Sequence, residues 1–173
     1  MCDKKRYFEW IENSLGMVHI EMLVLHKAQG LEILDVELIK DFSKLRPNSR
    51  LRKCRHIVLS ELWIFGVYEI VRFINEVNKK RNIFNLNTKQ ELNKILTKLT
   101  LLRVPLAKFQ KAGRTKELYL GVADSFLDSA NGVGWRVYVH GKKKLEKGIL
   151  YRKDLADELL ELLKLINLDI SKK

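Results

Sequence analysis

The sequence has few cysteines and few prolines, and both shortages narrow the class of protein. The two cysteines, Cys2 and Cys54, form neither a metal-binding spacing nor a disulfide framework, which is typical of a reducing compartment. Only two prolines and 46% hydrophobic residues exclude a proline-rich disordered chain and favour a folded one. A chain of 173 residues can bury a substantial core, so we predict a single domain over residues 1–173.

Neither a secretory leader nor an uninterrupted transmembrane run is expected from the sequence pattern. Residues 1–6 are basic, but no apolar stretch with a small-residue cleavage site follows them. Residues 57–74 are apolar over a length that could cross a bilayer, but Glu61, Glu69 and Arg72 interrupt them. We therefore expect a cytoplasmic protein that makes no membrane contact.

Acidic residues are outnumbered in this chain. Against 33 lysines and arginines there are 21 aspartates and glutamates, which gives a formal net charge of +12. Such an excess raises the local concentration of nucleic acid, acidic proteins or anionic lipid without choosing among them. Codon bias towards lysine and a role in solubility fit the same composition, so the charge motivates a polyanion-binding hypothesis and leaves the partner open.

The most informative stretch is residues 48–80, which read as one long helix with two unlike halves. Its first turns are basic, whereas residues 57–74 are apolar on nearly every side. A helix that is apolar all round is buried, so we predict a central helix around which the other elements pack. Pro47 precedes this helix and Ser49 is its predicted N-cap. The basic end should then project from a rigid core.

Four further helices are predicted from apolar residues at three- and four-residue spacing. The first has its apolar face at Tyr7, Ile11, Leu15, Val18, Met22 and Leu25. Gly16 should kink this helix without ending it, and a second helix is expected after Gly30. Residues 88–91 match the capping box, which predicts Thr88 as the N-cap of the next helix. The last helix has its apolar face at Leu155, Leu159, Leu162, Leu163 and Ile166.

The last third of the chain predicts a small sheet. Residues 118–123 are expected to form a strand, residues 124–134 a loop, and residues 135–140 a second strand, because apolar and polar residues alternate there. Residues 147–151 can pair back as a third strand. Helices grouped before strands predict an α+β fold: about five helices around a long central buried helix, then a three-stranded antiparallel sheet and a C-terminal helix. This layout resembles that of many small bacterial or phage proteins.

The basic residues form two series that could neutralise phosphates. One surrounds the start of the long helix, where backbone amides also favour anions. Its predicted nucleic-acid-binding members are Lys44, Arg46, Arg50, Arg52, Lys53 and Arg55. The second series contributes Arg103, Lys108, Lys111 and Arg114. The alternative for both series is a solvated face balanced by acids elsewhere in the fold. No catalytic residue, metal ligand or cofactor is predicted.

A narrow polar stripe crosses the otherwise apolar helix at Glu61, Tyr68, Glu69 and Arg72. At three- and four-residue spacing Glu69 can meet Arg72, and Tyr68 can hydrogen-bond it. The stripe is either a satisfied structural network or the wall of a polar cavity that holds a ligand. The sequence leaves both interpretations open.

Two pairs, Arg50 with His56 and Arg52 with His56, resemble the active-site motif of the HEPN ribonucleases, in which an Arg and a His lie four to six residues apart. The resemblance implies RNA cleavage, with His56 transferring protons and the Arg beside the scissile phosphate. Leu51 stands where a polar residue is commonly expected, and such enzymes are all-helical, whereas this chain has a predicted sheet.

Three hypotheses therefore stand. The preferred one is a non-enzymatic protein that contacts nucleic acid or another polyanion through its basic residues. The second is an HEPN-like toxin ribonuclease that uses the Arg/His pair. The third is a protein–protein scaffold or homodimer built on apolar surface of the first and last helices.

Overall fold

Five α-helices and three strands make up the part of the chain that the computed structural model describes, residues 2–43, 50–108, 124–140 and 145–172. The helical elements are α1 (Cys2–Ser14), a 3-10 turn (Leu15–His19), α2 (Met22–Ser43), α3 (Arg50–Arg81), α4 (Leu86–Lys108) and α5 (Arg152–Ile170). The strands β1 (Asp124–Asp128), β2 (Gly132–His140) and β3 (Leu145–Tyr151) form an antiparallel sheet in that order. The predicted α+β fold is confirmed, including the sheet in the C-terminal third and the helix that follows it.

The central helix of the fold is α3. Its 32 residues span about 48 Å, and it packs against α2, α4 and the sheet. The apolar middle is buried, with Trp63, Ile64, Val71 and Ile74 almost fully removed from solvent. At Gly66 a Cβ atom would lie 2.6 Å from the side chain of Leu31, so the missing side chain lets α2 approach closely. The buried part of α3 begins only at its seventh residue, which leaves the first turns outside the core.

The amino-terminal helices differ from the prediction at Gly16. Helix α1 ends at Ser14, a 3-10 turn follows, and α2 then runs through Gly30 without a break. Gly16 is buried against α5, where an added Cβ would clash with the Asn167 side chain and lie 3.3 Å from its Cα. Because the chain turns here to pack on α5, Gly16 ends the first helix instead of merely kinking it.

The predicted apolar face of the first helix is wrong for the same reason. Four of its members are exposed: Tyr7, Leu15, Val18 and Met22. Leu25 is buried as predicted, but the other buried apolar residues on this part of the chain are Trp10, Met17, Ile20 and Val24. A 3-10 segment has three residues per turn, so it shifts the phase of the residues that follow it relative to one continuous α-helix.

Helix α4 begins three residues earlier than the capping box predicted. Asn85 is its N-cap, since Asn85 Oδ1 accepts a hydrogen bond from the backbone N–H of Thr88 at 2.9 Å. Asn85 is held in turn by Asp169 of α5, which accepts from its backbone N–H at 2.9 Å and from Nδ2 at 2.5 Å. Thr88 is therefore a buried residue of the first turn and not the cap.

The first hairpin lies where a loop was predicted. Residues 124–128 form β1, and the predicted strand at residues 118–123 lies outside the described residues. Asp128 Oδ1 accepts hydrogen bonds from the backbone N–H groups of Ala130 and Asn131 at 2.9 and 2.8 Å, and Gly132 has φ +79°. A three-residue hairpin loop needs such a left-handed residue. The predicted loop at residues 124–134 is therefore strand β1, a tight turn at residues 129–131 and the start of β2.

The sheet lays its apolar side against α3 and α5. Trp135 and Val137 of β2 are buried, as their alternation predicted. On the other side, Gly134 lies between Phe126 and Tyr151, whose ring centroids are 6.0 Å apart. A Cβ at Gly134 would lie 2.8 to 2.9 Å from both rings. The last helix buries every residue of its predicted apolar face, which confirms that part of the pattern.

Candidate anion-binding site

The amino-terminal end of α3 is a cluster of exposed cations. We call Arg50, Arg52, Lys53 and Arg55 the cationic end; all four side chains are exposed, and no acidic residue occupies the first turn. Among the described residues, Arg50, Lys53 and Arg55 take part in no ion pair. Successive residues of a helix differ by about 100°, so these cations surround the helix as a charged tip.

The two ends of α3 carry similar charge in opposite electrostatic settings. Lys79, Lys80 and Arg81 occupy the last turn, where the helix dipole stabilises cations. At the other end Arg50, Arg52 and Lys53 lie in the first turn and meet the positive end of the dipole, which costs about 0.3–1 kcal/mol per exposed charge. The sequence thus keeps arginines where they weaken the helix that bears them, which favours a role beyond stability.

The other predicted contact residues are distributed differently. Lys44, Arg46, Lys111 and Arg114 lie outside the described residues, and Lys108 is the last residue of α4 with its side chain not described. On α4, Arg103 lies 3.7 Å from the Glu69 carboxylate, and its guanidinium lies 5.1 Å from the centroid of the Tyr68 ring. Arg103 is therefore engaged by the protein's own side chains, unlike Arg50, Lys53 and Arg55 at the tip of α3.

The polar stripe on α3 forms a network. Arg72 donates to Glu69 at 2.8 Å and to Glu76 at 3.0 Å, so the predicted Glu69–Arg72 pair is confirmed. Ser125 of β1 donates to Glu61 at 2.5 Å. No Tyr68–Arg72 hydrogen bond is present among the described side chains. These partners support the structural interpretation of the stripe over a ligand-binding one.

A cavity of about 200 Å³ lies beside the first buried turn of α3. It is enclosed by the end of α2, by α3, by the β1–β2 turn and by the start of α5. Its polar lining includes His56, Ser60, Asn131, Arg152 and Lys153. His56, Ser60 and Arg152 are 5%, 0% and 6% exposed, whereas Asn131 and Lys153 are open to solvent. The buried three form its floor, and the exposed two lie at its mouth.

Two groups at this cavity can each donate a further hydrogen bond. The Ser60 hydroxyl is fully buried and has no hydrogen-bond partner in the part of the chain that the structure describes. The other group is the first turn of α5, which begins at Arg152. Its N-cap residue, Tyr151, makes no side-chain cap hydrogen bond to that turn, and the first amides of a helix have no partner within it.

Arg152 connects the cavity to a buried charge network. Asp35 is fully buried and accepts hydrogen bonds from Arg152, from Arg6 Nε at 2.7 Å and from Trp10 Nε1 at 3.1 Å. Arg6 also binds Asp157 at 2.5 Å. Desolvation by burial lowers the pKa of Arg152, and the Asp35 charge opposes that shift. The single negative charge of Asp35 is thus shared between Arg152 and Arg6.

Glu32 is a second buried carboxyl on α2, one turn before Asp35. It is 1% exposed, and within the described structure neither carboxylate oxygen has a hydrogen-bond partner. Burial raises the pKa of Glu32 to about 7. This group therefore titrates near neutrality in the folded protein.

A larger groove of about 540 Å³ has the opposite character. It runs along α5, and its acidic lining residues are Glu9, Glu91, Asp157, Glu158 and Glu161. Lys98 already binds Glu158, at 2.5 and 2.7 Å. Arg6, Lys94 and Lys164 also line the groove, so the acids exceed the cations by only two and the groove attracts a polyanion less than the tip of α3 does.

Sequence reasoning missed the cavity because its lining comes from four separate elements. The four-residue spacing of His56 and Ser60, which puts them on one helix face, was the available signal. Nothing in the local sequence indicated that Arg152 and Lys153 would lie opposite them.

The two alternative hypotheses stay predictions. For the HEPN-like motif, His56 is buried beside the cavity, Arg50 is exposed at the helix tip, and the sheet departs from an all-helical family. For self-association, exposed apolar side chains do occur on the first and last helices, among them Phe8 at 58% and Leu168 at 56%.

Among the described residues, no cluster of three or more His, Cys, Asp or Glu side chains could hold a metal ion. No described helix combines the length and apolar character that crossing a bilayer requires. Comparison with known proteins gave no match: no family model, no curated protein and no solved structure is detectably similar to this chain.

Proposed function

We propose that this protein is a non-enzymatic binding protein that contacts nucleic acid, or a polyanion of similar charge density, through the cationic end of α3. The observation that carries the proposal is the exposure of Arg50, Arg52, Lys53 and Arg55 on a helix whose following turns are buried. The helix is already ordered, so docking a partner there costs little backbone entropy.

The electrostatics support the same surface. Each cation that neutralises a phosphate releases condensed counterions from the nucleic acid, which drives binding at low salt. The helix N-terminal amides add partial positive charge at the same tip. The net charge of +12 keeps the whole molecule attractive to a polyanion at longer range.

The test is the salt dependence of binding. Fluorescence anisotropy with a mixed-sequence single-stranded RNA and with duplex DNA should give affinities that fall steeply from 50 to 200 mM salt. For four phosphate contacts we expect a slope of log K against log salt of about −3 to −4. A flat response, or no binding at the lowest salt, would remove the basis of the proposal.

A second candidate is RNA cleavage by an Arg/His pair. It is favoured by the position of His56 at the cavity, one helical turn after Arg52. Incubation of the protein with RNA, beside His56→Ala, separates the candidates. Cleavage that the substitution abolishes supports the enzyme, and cleavage that persists unchanged excludes this assignment.

A further inference from the structure

We propose that the 200 Å³ cavity between α2, α3, the β1–β2 turn and α5 binds a phosphate group, either inorganic phosphate or the terminal phosphate monoester of a nucleic-acid strand. This proposal does not depend on polyanion binding at the cationic end, because free phosphate can occupy the cavity without a strand. It stands on the size of the cavity, its unsatisfied donors and its charge.

The size of the cavity fits a small oxyanion. Its volume is below the ~300 Å³ at which pockets for drug-sized ligands begin. The cavity therefore suits a phosphate group, and any larger group attached to it would lie outside the mouth. Leu38 and Val133 are buried at its apolar sides, which lowers the local dielectric and strengthens polar contacts to a bound anion.

The Ser60 hydroxyl donates no hydrogen bond to any described residue. A buried hydroxyl without a partner loses its hydrogen bonds to water on folding, which is costly unless something replaces them. Its neighbour one turn before, His56, lines the same cavity. An anion in the cavity would accept from the Ser60 hydroxyl and satisfy it.

The amino-terminal end of α5 supplies a second set of donors. Arg152 and Lys153 are the first two residues of this 19-residue helix, and both line the cavity. Tyr151 leaves the first-turn amides without a side-chain cap, so these N–H groups and the positive end of the helix dipole remain for an anion.

The charge at the cavity is positive on balance. Arg152 faces it, and the only carboxylate that this guanidinium binds among the described residues, Asp35, is shared with Arg6. Lys153 adds a full charge at the mouth. Two carboxylates lie close along the chain: Asp154 is exposed in the first turn of α5, and Asp128 accepts from the turn amides. Neither lines the cavity.

The experiment is isothermal titration calorimetry with inorganic phosphate, referenced to chloride at equal ionic strength. Four proteins are compared: wild type, Ser60→Ala, Lys153→Gln and the control Lys172→Gln, which removes an equal charge at the opposite end of α5. We expect binding in the wild type and the control, a loss of about tenfold or more in affinity for Ser60→Ala, and a several-fold loss for Lys153→Gln.

Equal affinities in all four proteins, or heat no larger than that for chloride, would overturn the proposal. Circular dichroism checks that Ser60→Ala folds; if it does not, the surface variant Lys153→Gln decides. The variant Arg50→Gln/Lys53→Gln/Arg55→Gln should keep its phosphate affinity, because those side chains do not line the cavity. Loss of nucleic-acid binding with phosphate binding retained in that variant keeps the two proposals distinguishable.

The source of the phosphate is settled by a pair of oligonucleotides that differ only in a 5′-phosphate. Tighter binding of the phosphorylated strand, lost in Ser60→Ala and Lys153→Gln, supports a strand end as the ligand. Equal binding of both strands together with calorimetric phosphate binding supports free phosphate. A 5′-phosphate advantage that both cavity variants retain would contradict the assignment of this cavity.

Discussion

Asp35 of α2 binds Arg152, the first residue of α5, in an ion pair that is almost completely removed from solvent, 117 residues apart in the chain. Because Arg6 and Trp10 bind the same carboxylate, one side chain fixes α1, α2 and the start of α5 relative to each other. The floor of the cavity is held by this pair, so the geometry of the candidate phosphate site depends on a residue that does not line it.

Asp35→Asn should destabilise the fold strongly. The substitution leaves two arginines beside an uncharged group in a buried setting, which typically costs about 3–5 kcal/mol. Urea unfolding measures it directly. Asp35→Leu/Arg152→Met should cost less than Asp35→Asn alone, because Arg6 keeps Asp157 and no buried charge is then left without its counterion. A single-variant loss below about 1 kcal/mol would contradict the account of this network.

Glu32→Gln should change how stability depends on pH. The pKa of Glu32 is raised from 4.5 to about 7 in the folded state, so the folded protein binds more protons than the unfolded chain between these values. Stability from this group is therefore full below about pH 4.5 and falls as pH rises through about 7. We expect Glu32→Gln to be more stable than wild type at pH 8, by on the order of 2 kcal/mol, and close to it at pH 4.5. An equal difference at both pH values in thermal unfolding would argue against this titration.

Two glycines should respond to alanine with opposite signs. Gly16→Ala forces a methyl group against Asn167 of α5 and should cost about 1–3 kcal/mol. Gly30→Ala lies in the middle of α2 with nothing within 4 Å of its new Cβ, so it should stabilise by about 0.4–1 kcal/mol. Chemical denaturation of both variants checks the pair. Similar effects would mean that Gly16 does not pack closely against α5.

Asn85→Ala should destabilise the start of α4. The change removes the N-cap of the helix and a partner of Asp169, and caps of this kind contribute about 0.5–2 kcal/mol. Glu91→Ala is the control, because Glu91 belongs to the capping box that the structure does not use and forms a surface pair with Lys94. Its effect should stay within about 0.5 kcal/mol. A larger loss for Glu91→Ala would favour the capping box after all.

The elements of this fold that were predicted correctly are those that the periodicity of the local sequence determines. The long apolar run predicted the buried centre of α3, and leucines at helical spacing predicted the buried face of α5, because each depends on its own period alone. The predicted apolar face of the first helix was wrong because that helix ends near Gly16. Gly16 packs against Asn167 of α5, which lies 151 residues later in the chain. The prediction of a loop at residues 124–134 was wrong because Asp, Ser, Asn and Gly are common both to loops and to the tight turns of hairpins.

The candidate site also has a part that the local sequence predicts and a part that only tertiary packing creates. The exposed cations at residues 50–55 follow from sequence position, since they precede the apolar run on one helix. The cavity does not, because Ser60 and Arg152 become neighbours only through packing of α3 and α5 with the sheet. The capping box at Thr88 is a valid local motif, but Asn85 is the N-cap of α4 instead, because a hydrogen bond to Asp169 of α5 holds it in place.

Comparing the two ends of α3 tests whether its cationic end is the binding site. Arg50→Gln/Lys53→Gln/Arg55→Gln and Lys79→Gln/Lys80→Gln/Arg81→Gln each lower the net charge of +12 by three, on the same helix. Anisotropy titrations with single-stranded RNA across a salt series should show the first variant losing most of its affinity and about two units of salt slope, with the second close to wild type. Equal losses in both variants would show that net charge alone drives binding, and would contradict a binding site at the cationic end.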